Sequence, residues 1–541
     1  MTETKTRTKE SFSNRIARGL DDLVGIFSPN AAYKRKAFRK AQSMLGSYRG
    51  ADKTRLRASW WPGSGSADED LLPDLATLRE RSRDLNRNDA HAVGITTTVT
   101  SNTVGTGIKP QSRVKIKKLG ISDEEATTFQ EAAEDNWEKW CPYADAGNRM
   151  DFYEIQNLVD RQILENGEII LLPLMLNDKS RPFSLAFDIV EADRLETPPD
   201  KRADRNIRYG VEIGERGEPV AYYLRETHPG DLTLAKDRGV KRYIRIPAIG
   251  DTGRKNVIHL YWVNRPGQTR GVPFFAPVMN YFKDLADYME AELVAARVAA
   301  CFAVFIKKDD NYAAALGNTA ETNARGQRIQ ELEPGMIDYL GPGEDISAFN
   351  PNRPGGQFEP FVDRILRAIS TGLNLPYEIV AKDFSKTNYS SARAALLEAR
   401  RYFMVRQAWL SRKLCQPAWD MLQEEAFLKN QLPAKTFYEK KSDWCRVRWI
   451  APGWQWVDPV KEAKSSEMAI DIGISTLADE AASQGKDWEE VLEQRAREVV
   501  KIKELEDKYG VKILGASSGS VDPEPEGELV GAGERKGKGS S

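Results

Sequence analysis

Histidine and cysteine are scarce in this sequence. Its 541 residues include three histidines, His91, His228 and His259, and four cysteines, Cys141, Cys301, Cys415 and Cys445. The histidines stand far apart and no two cysteines form a C-x-x-C pair, so the spacing excludes the common zinc motifs. We therefore expect no metal site, and we expect the thiols to be buried or idle in a reducing compartment.

Segments that would direct the chain to a membrane are also missing. No uncharged apolar run reaches the length of about 18 residues that a spanning helix needs. The N-terminal stretch MTETKTRTKESFSNR lacks the apolar centre of a signal peptide. We expect no membrane association.

Catalytic motifs form the third absence. The sequence contains no H-E-x-x-H, no G-x-S-x-G and no G-x-G-x-x-G after a strand. The nearest approach to a phosphate-binding loop, GERKGK at 533–538, has the wrong spacing and lies in a polar tail. The sequence therefore predicts a protein that is not an enzyme and that binds no cofactor.

Charge is balanced overall but not along the chain. The 79 basic and 80 acidic residues leave a net charge of −1, which excludes a strongly basic nucleic-acid-binding protein. A basic block at 34–57 contains a single acid, Asp52, whereas 123–138 is rich in acids. Two interpretations stay open, because such runs are either solvated surfaces or contact surfaces.

The clearest pattern in the chain is a polar loop between two amphipathic helices. Apolar residues at steps of three and four predict a helix that ends at Asn374 and Pro376 and a long helix after residue 391, with Ser390 or Ser391 as its N-cap. The polar segment 382–389 lies between them. The apolar positions are Phe358, Phe361, Ile365, Ile369 and Leu373, followed by Leu396, Ala399, Phe403, Leu410 and Leu414.

A second apolar stripe predicts another helix at 278–300. Its opposite face carries Asp284, Asp287 and Glu290 beside Lys283. This helix and the helix at 358–373 bracket an insertion of short strands and turns at 301–356. The pattern predicts a small α/β module mounted on a pair of helices.

The remaining segments predict an α+β body. The composition, 40% apolar and 29% charged, is ordinary for a globular chain of about two to four folding units. A helix at 152–166 precedes short strands at 168–174, 183–190, 209–213, 221–224 and 257–263, which predict an antiparallel sheet. Ser122 and Glu125 form a capping box, and Asp458 with Pro459 starts a later helix. The segment 92–104 is β-branched and ambiguous in type, a last helix covers 488–509, and the tail from 515 is expected to be disordered.

Four segments of the sequence identify a protein family more specifically by their order along the chain than any one of them does alone. They are 81–114, PGQTRGVP at 266–273, LPYE at 375–378 with NYSSAR at 388–393, and WVDPVKE at 456–462. Together they resemble the lambda-type portal proteins of tailed bacteriophages. The resemblance spans most of the chain between about residues 30 and 480.

The resemblance implies a ring-forming homo-oligomer with an α+β portal fold. Such a ring, usually a dodecamer, has an α/β wing, a two-helix stem, a small α/β clip, a tunnel loop and a long helix. The expected regions are a flexible arm at 1–30, the wing at 31–272, stem helices at 273–300 and 357–378, the clip at 301–356, the tunnel loop at 379–391, the long helix with a C-terminal helical wing or crown at 392–510, and a disordered tail at 511–541.

The resemblance also implies a set of residues that face the channel. In the tunnel loop the predicted DNA-facing residues are Lys382, Asp383, Ser385, Lys386, Asn388 and Tyr389. In the stem the predicted channel-facing residues are Lys283, Asp284, Asp287 and Glu290. We expect Lys382 and Lys386 to approach DNA phosphates transiently.

The function that follows is a channel at one capsid vertex, through which terminase packages double-stranded DNA and from which the DNA is later ejected. The expected partners are other copies of the chain, the DNA in transit, the large terminase subunit, head-completion or adaptor proteins, and the major capsid protein with its scaffold. The expected locations are the virion and, during assembly, the host cytoplasm. We expect the basic block at 34–57 to pair with the acidic 123–138 segment of a neighbouring subunit, although packaged DNA or scaffold are alternatives.

Two other functions fit part of the pattern. Another head–tail connector or a capsid protein would share these partners in a different role. A packaging ATPase or nuclease would need a phosphate-binding loop or a carboxylate metal cluster, which the sequence does not show. The paired helices around an insertion favour a portal over both.

Overall fold

The computed structural model describes residues 62–231, 242–300, 304–308, 344–348, 358–454 and 458–512, together with Lys34. The predictions for the arm at 1–30, for the basic block other than Lys34, for most of the 301–356 insertion and for the tail lie outside the described residues. All labelled elements belong to the unit Ala67–Ser541. No helix of the described ranges is long and apolar enough to cross a membrane.

Helices make up most of the described chain. In chain order they are α1 Ala67–Leu71, α2 Leu75–Asn88, α3 Ala90–Thr103, α4 Ile116–Leu119, α5 Asp123–Trp140, α6 Phe152–Asn166, α7 Met279–Ala300, α8 Phe358–Gly372, α9 Tyr377–Ala381, α10 Tyr389–Leu410, α11 Gln416–Leu428, α12 Lys441–Trp444, α13 Pro459–Asp471, α14 Leu477–Ser483 and α15 Trp488–Tyr509.

The strands are short and pair antiparallel. They are β1 Lys109–Ser112, β2 Glu168–Met175, β3 Leu185–Val190, β4 Ile207–Arg208, β5 Val211–Ile213, β6 Pro219–Arg225, β7 Tyr243–Pro247, β8 Ile258–Tyr261, β9 Val304–Lys308, β10 Glu344–Ala348 and β11 Val447–Ile450. The α+β class is confirmed. The prediction of one sheet is wrong, since the body has a three-stranded sheet, β3-β2-β8, and a four-stranded sheet, β4-β5-β6-β7.

Two strand pairs join distant parts of the chain. β1 pairs with β11, with Lys109 opposite Ile450 and Ser112 opposite Val447, so the tryptophan-rich segment near the C-terminus returns to the N-terminal body. Within the insertion, β9 pairs with β10, with Val304 opposite Ala348 and Lys308 opposite Glu344. This antiparallel pair confirms a strand near the start of the insertion.

Aromatic side chains fill the larger of two helix-rich cores. Trp137 and Trp140 of α5 lie 5.0 Å apart between ring centroids, and Trp137 also meets Phe152 at 5.0 Å and Trp419 at 5.6 Å. All four rings are fully buried. A second core joins α3, α7, α8, α9 and α10 through Val99, Phe282, Ile369, Val380 and Phe403, one from each helix. This second core fixes the base of the helix pair to the body.

Two of the predicted helix N-caps are confirmed and one is wrong. The capping box of Ser122 and Glu125 starts α5, and Asp458 with Pro459 starts α13, as predicted. Ser390 and Ser391 are not the N-cap of α10, since the Asn388 side chain accepts the Ser391 backbone N–H at 2.8 Å. Asparagine caps as well as serine does, and here it lies three residues before the N–H that needs an acceptor.

The predicted long helix is continuous but not uniform. A π-helical turn, Ser411–Cys415, separates α10 from α11. Pro417 follows this turn, has no N–H to donate and would crowd the carbonyl of Lys413 in a regular α-helix. The wider π turn relieves that conflict.

The C-terminal helices α13, α14 and α15 contain no buried residue. They meet the body where Gly453 contacts the α14 end. A Cβ on Gly453 would lie 2.3 Å from the Gln484 carbonyl carbon and 2.5 Å from the Ser483 carbonyl oxygen. Both obstacles are backbone atoms, so a side chain at 453 forces the two segments apart.

Gly453→Ala is therefore expected to loosen the C-terminal helices at a cost of about 1–3 kcal/mol. The measurement is limited proteolysis, in which cleavage within 458–487 should accelerate. Gly63→Ala is the control, because a Cβ at Gly63 meets nothing within 4 Å. Equal protease resistance of both variants would contradict the expected role of this contact.

Candidate functional surface

The helices α7 and α8 form an antiparallel pair that leaves the body together. At the base, Val278 lies against Gly372, and farther along the Tyr288 ring meets Phe358 at 5.6 Å and Phe361 at 4.8 Å. Phe282 of α7 is fully buried where the pair enters the body. The pair is therefore held at its base and by ring contacts along its length.

The exposed face of α7 carries the four charged residues that the sequence singled out. Lys283, Asp284, Asp287 and Glu290 are all exposed, whereas Phe282 and Leu285 on the other side are buried. Lys283 donates to the Asp287 carboxylate one turn away, and this hydrogen bond raises the pKa of the lysine. One positive and three negative charges leave this face at −2 per chain.

The exposed surface of the helix pair also carries a basic residue of α8, Arg364. Residue 278 contacts 372, and residue 288 contacts 358 and 361. In an antiparallel pair with this register, Arg364 lies level with Asp284. Arg364 is exposed and lines an open cavity of about 450 Å³ together with Tyr288, Pro360 and Phe361. The free surface of the pair is thus mixed in charge rather than a basic stripe.

The polar loop 382–389 begins at a left-handed residue. Lys382 follows α9 with a φ of +54°, a conformation that is uncommon for a side chain other than glycine, asparagine or aspartate. Within the loop the Asp383 carboxylate accepts the Ser385 N–H at 2.9 Å, and Asn388 caps α10. These local bonds give the loop a defined shape.

Lys386 closes the loop onto α8. Its ammonium donates to Glu359 Oε1 at 2.6 Å and to Asp363 Oδ2 at 3.1 Å. These bonds, that to Glu359 first, raise the pKa of Lys386. Asp363 also accepts the Tyr377 hydroxyl at 2.9 Å, and the bond from Lys386 lowers the pKa of Asp363. We call Lys386, Glu359, Asp363 and Tyr377 the loop anchor.

The two predicted phosphate-facing lysines therefore differ in the structure. Lys386 is held by two carboxylates, whereas no carboxylate of the described ranges lies within ion-pair distance of Lys382. Sequence reasoning missed the acceptors of Lys386. Their signal was available, since Glu359 and Asp363 are spaced i, i+4 on one face of a predicted helix next to the loop. The position of the ten predicted residues relative to DNA stays a prediction.

A buried charge centre lies inside the body, and sequence reasoning did not find it. The Glu168 carboxylate accepts from Arg79, from Arg270 Nε at 2.6 Å and from the Gly271 N–H at 2.6 Å, and it lies 3.0 Å from His259 Nε2. Desolvation opposes the charge on Glu168, but the two arginines outweigh it and hold the pKa of this carboxyl well below its usual range. We call these side chains the Glu168 centre.

The segment 265–273 is folded around this centre. Arg270 also donates to the carbonyls of Leu195 at 3.1 Å and Ala192 at 3.0 Å, and Thr269 binds Asp68 of α1. A Cβ on Gly271 would lie 2.1 Å from the Gly167 carbonyl oxygen. The PGQTRGVP motif is therefore a structural junction between α1, β2 and the loop after β3.

Among the described residues, one group of three potential metal ligands lies within binding distance: Glu191, Asp193 and His228. The Arg83 guanidinium already pairs with both carboxylates. The Gly230 N–H donates to His228 Nδ1 at 3.0 Å, and His228 Nε2 lies 3.4 Å from Glu191 Oε2. In this structure the carboxylates of the group are engaged by Arg83.

Comparison with known proteins adds a consistent result. The family profile described as "Phage portal protein, lambda family" matches residues 53–407. The chain is 28% identical over 469 residues to "Portal protein B" of Escherichia phage lambda, which covers 82% of this chain and 87% of that protein. It is 27% identical over 467 residues to "Portal protein" of Escherichia phage N15, with 81% and 87% covered.

Further similarity extends over more of the chain. "Probable portal protein" of Halomonas phage phiHAP-1 is 26% identical over 503 residues, which are 90% of this chain and 93% of that protein. Among solved structures, "Virion of native gene transfer agent (GTA) particle" aligns with a TM-score of 0.39 at 13% identity, and "Neck of empty GTA particle computed with C6 symmetry" with 0.40 at 15%. Both cover 76% of this chain and 93% of the other.

Proposed function

The chain belongs to the lambda family of phage portal proteins, and we propose that its copies form a closed ring around a channel for double-stranded DNA. The observation that carries the proposal is the family match over residues 53–407, which includes the helix pair and the 382–389 loop. A portal protein is a structural component of the virion at the head–tail connection. The family match supports this role over another head–tail connector, a capsid protein or a packaging enzyme.

In this proposal the described elements take the parts of a portal subunit. The helices α7 and α8 are the stem, the insertion between them is the clip, and the 382–389 loop is the tunnel loop. The α+β body with α10 and α11 is the wing, and α13 to α15 belong to the C-terminal wing or crown. The proposed ring is a dodecamer.

Exposed apolar side chains support an assembly of several copies. Leu293 and Val294 of α7 and Leu397, Met404 and Val405 of α10 are each about half exposed. Large apolar side chains clustered on helix surfaces mark contact surfaces between proteins. In a ring, each subunit would cover such a surface with a different surface of its neighbour.

The charge of the helix pair suits a channel through which DNA must move. Each phosphate that a protein neutralises adds salt-sensitive affinity, and a ring repeats every contact in each subunit. A face at −2 per chain, with Arg364 level with Asp284, offers no continuous cationic track. The wall would therefore hold DNA in the channel without binding it tightly.

The finer partners follow from the same proposal. The large terminase subunit supplies the ATP hydrolysis that moves DNA, and head-completion or adaptor proteins later bind the clip. The major capsid protein and scaffold surround the wing at one capsid vertex, and assembly takes place in the host cytoplasm. The chain itself acts as a conduit rather than as an enzyme.

Negative-stain electron microscopy of the purified protein is expected to show rings with a central hole. ATP hydrolysis by the same preparation should stay at the buffer background, because the motor is a separate protein. A chain that stays monomeric at high concentration, at both low and high salt, would contradict the ring. Hydrolysis that rises with ring concentration would contradict the passive role.

A further inference from the structure

We infer that Lys382 is the cation that the loop offers to DNA, whereas Lys386 is a positioning residue that fixes the loop to α8. This assignment rests on the proposed function, since it takes the 382–389 loop to face the channel. It separates two lysines that lie four positions apart and that the sequence treats alike. The separation comes from what each ammonium contacts.

The surroundings of Lys386 do not favour a phosphate. Its ammonium lies 2.6 Å from Glu359 Oε1 and 3.1 Å from Asp363 Oδ2. Both carboxylates are engaged by the Lys386 ammonium, and the Arg367 guanidinium next to Tyr377 brings the charge of these surroundings to zero. A phosphate that approached Lys386 would have to displace two carboxylates from it.

The acceptor side of the loop anchor is held in place by α8 and α9. The i, i+4 spacing places Glu359 and Asp363 on one face of α8. The Tyr377 hydroxyl donates to Asp363 Oδ1 at 2.9 Å, and the Arg367 guanidinium lies 4.3 Å from the centre of the Tyr377 ring. The Asp363 carboxylate is thus oriented by a neighbour that does not belong to the loop.

Lys382 lies in different surroundings. It is exposed, and its Nζ lies 3.9 Å from the point where a Cβ on Gly94 of α3 would stand. The absence of a side chain at Gly94 leaves room for the lysine along α3. With no carboxylate of the described ranges in ion-pair reach, the charge of Lys382 stays available to a passing anion.

One available lysine per subunit also suits a conduit better than two. Each phosphate contact adds about 0.9 to the dependence of log K on log salt, so a second lysine per loop would double the salt-sensitive contribution of the loops. The loop anchor removes that second contact. It also links the loop to α8 at a position four residues after Lys382.

Acetylation of lysines in assembled particles tests the assignment without any substitution. Empty and DNA-filled particles are treated with N-hydroxysuccinimide acetate, and modification is read by mass spectrometry. Lys382 should react in empty particles and be protected several-fold in filled ones. Lys386 should react slowly in both, because the anchor keeps its amine protonated. Lys179, which is exposed in the body, should react equally in both.

The outcomes separate this inference from the proposed function. If Lys386 reacts readily in empty particles and is protected in filled ones, as Lys382 is, the loop-anchor assignment is wrong and the channel position of the loop stands. If neither lysine changes between empty and filled particles, the loop does not face DNA. That result overturns both the assignment and the channel position of the loop.

A paired variant tests the anchor directly. Glu359→Gln with Asp363→Asn should make Lys386 reactive in empty particles and protected by DNA in filled ones. For purified rings that bind a short fluorescent duplex, the same variant should steepen the salt dependence by about 0.9 for each loop that gains a contact. Lys386→Arg keeps the anchor and should leave the salt dependence unchanged.

The matched control removes the same two kinds of carboxylate elsewhere. Glu215→Gln with Asp251→Asn changes net charge equally at exposed positions in the sheet body. This variant should leave Lys386 unreactive and the salt dependence as in the parent. An equal steepening in both double variants would show a general charge effect and would overturn the anchor.

Discussion

Glu168→Gln is expected to destabilise the fold by about 3–5 kcal/mol, the cost of removing one partner of a buried ion pair. Glu168 is fully buried, and its carboxylate balances Arg79 and Arg270, which are also buried. A neutral amide would leave two guanidinium groups without a counter-charge, and its NH₂ group would face the donors that the carboxylate accepts. Thermal unfolding should report the loss as a clear decrease in Tm.

The same centre predicts how stability changes with pH. The pKa of Glu168 is well below its ordinary value of 4.5, so its contribution is present above pH 4.5 and is lost as pH falls below it. The pKa of His259 is also lowered, because burial disfavours the charged ring. The neutral His259 ring contributes to the stability of the fold above pH 6.5, the ordinary pKa of histidine. This contribution is lost as the pH falls below that value. Acid should therefore destabilise the parent from about pH 6.5 downward.

Glu212→Gln is the control for this prediction. Glu212 pairs with Arg245 at 2.9 Å near the surface of the four-stranded sheet, and glutamine keeps an oxygen that can accept the Tyr223 hydroxyl. Exposed pairs contribute about 0–1 kcal/mol, so this variant should unfold close to the parent. If Glu168→Gln and Glu212→Gln unfolded at the same temperature, the Glu168 centre would not support the fold as argued.

The Glu168 centre also shows where sequence reasoning ends. The motif PGQTRGVP contributed to the family resemblance, but nothing in its letters places Arg270 beside Glu168, which lies 102 positions earlier. The contact depends on Gly167 and Gly271 passing so closely that neither tolerates a side chain. Long-range packing of this kind has no local sequence signal.

Apolar periodicity predicted a helix correctly where the apolar face of the helix is the face that the core buries. The stripe of Phe282 and Leu285 predicted α7, because its period matches the face that the core buries. The threonine-rich segment 92–104 was ambiguous, since β-branched residues favour strands. Burial of Ala92, Ile95 and Val99 against the second core makes it the helix α3. Tertiary contacts there outweigh local preference.

The loop illustrates the same limit for function. Its polarity identified the segment 382–389, but Lys382 and Lys386 look equivalent in the sequence. The difference arises because α8 runs back past the loop and presents Glu359 and Asp363 to one of them. The return of a helix past a loop is a property of the fold. The i, i+4 spacing of Glu359 and Asp363 in the sequence therefore signals a pair of acceptors, but it does not say which of the two lysines they hold.

Reversing the acidic face of α7 is expected to stall DNA movement. Asp284→Lys, Asp287→Lys and Glu290→Lys together add six charges per chain and change the face from −2 to +4. Each phosphate that the new lysines neutralise adds about 0.9 to the salt slope of binding, and several contacts together change affinity by orders of magnitude. DNA would then be held by the wall, and DNase-protected DNA in a packaging reaction should fall more than about tenfold.

The design separates position from charge. Asp200→Lys, Glu215→Lys and Asp251→Lys add the same six charges at exposed sites in the sheet body, and particles with this variant should package as the parent does. Both variants must form rings by electron microscopy, so that loss of packaging is not loss of assembly. Because a stalled strand is held by charge, higher salt should partly restore packaging in the α7 variant. Normal packaging by rings with the reversed α7 face would mean that Asp284, Asp287 and Glu290 do not line the channel.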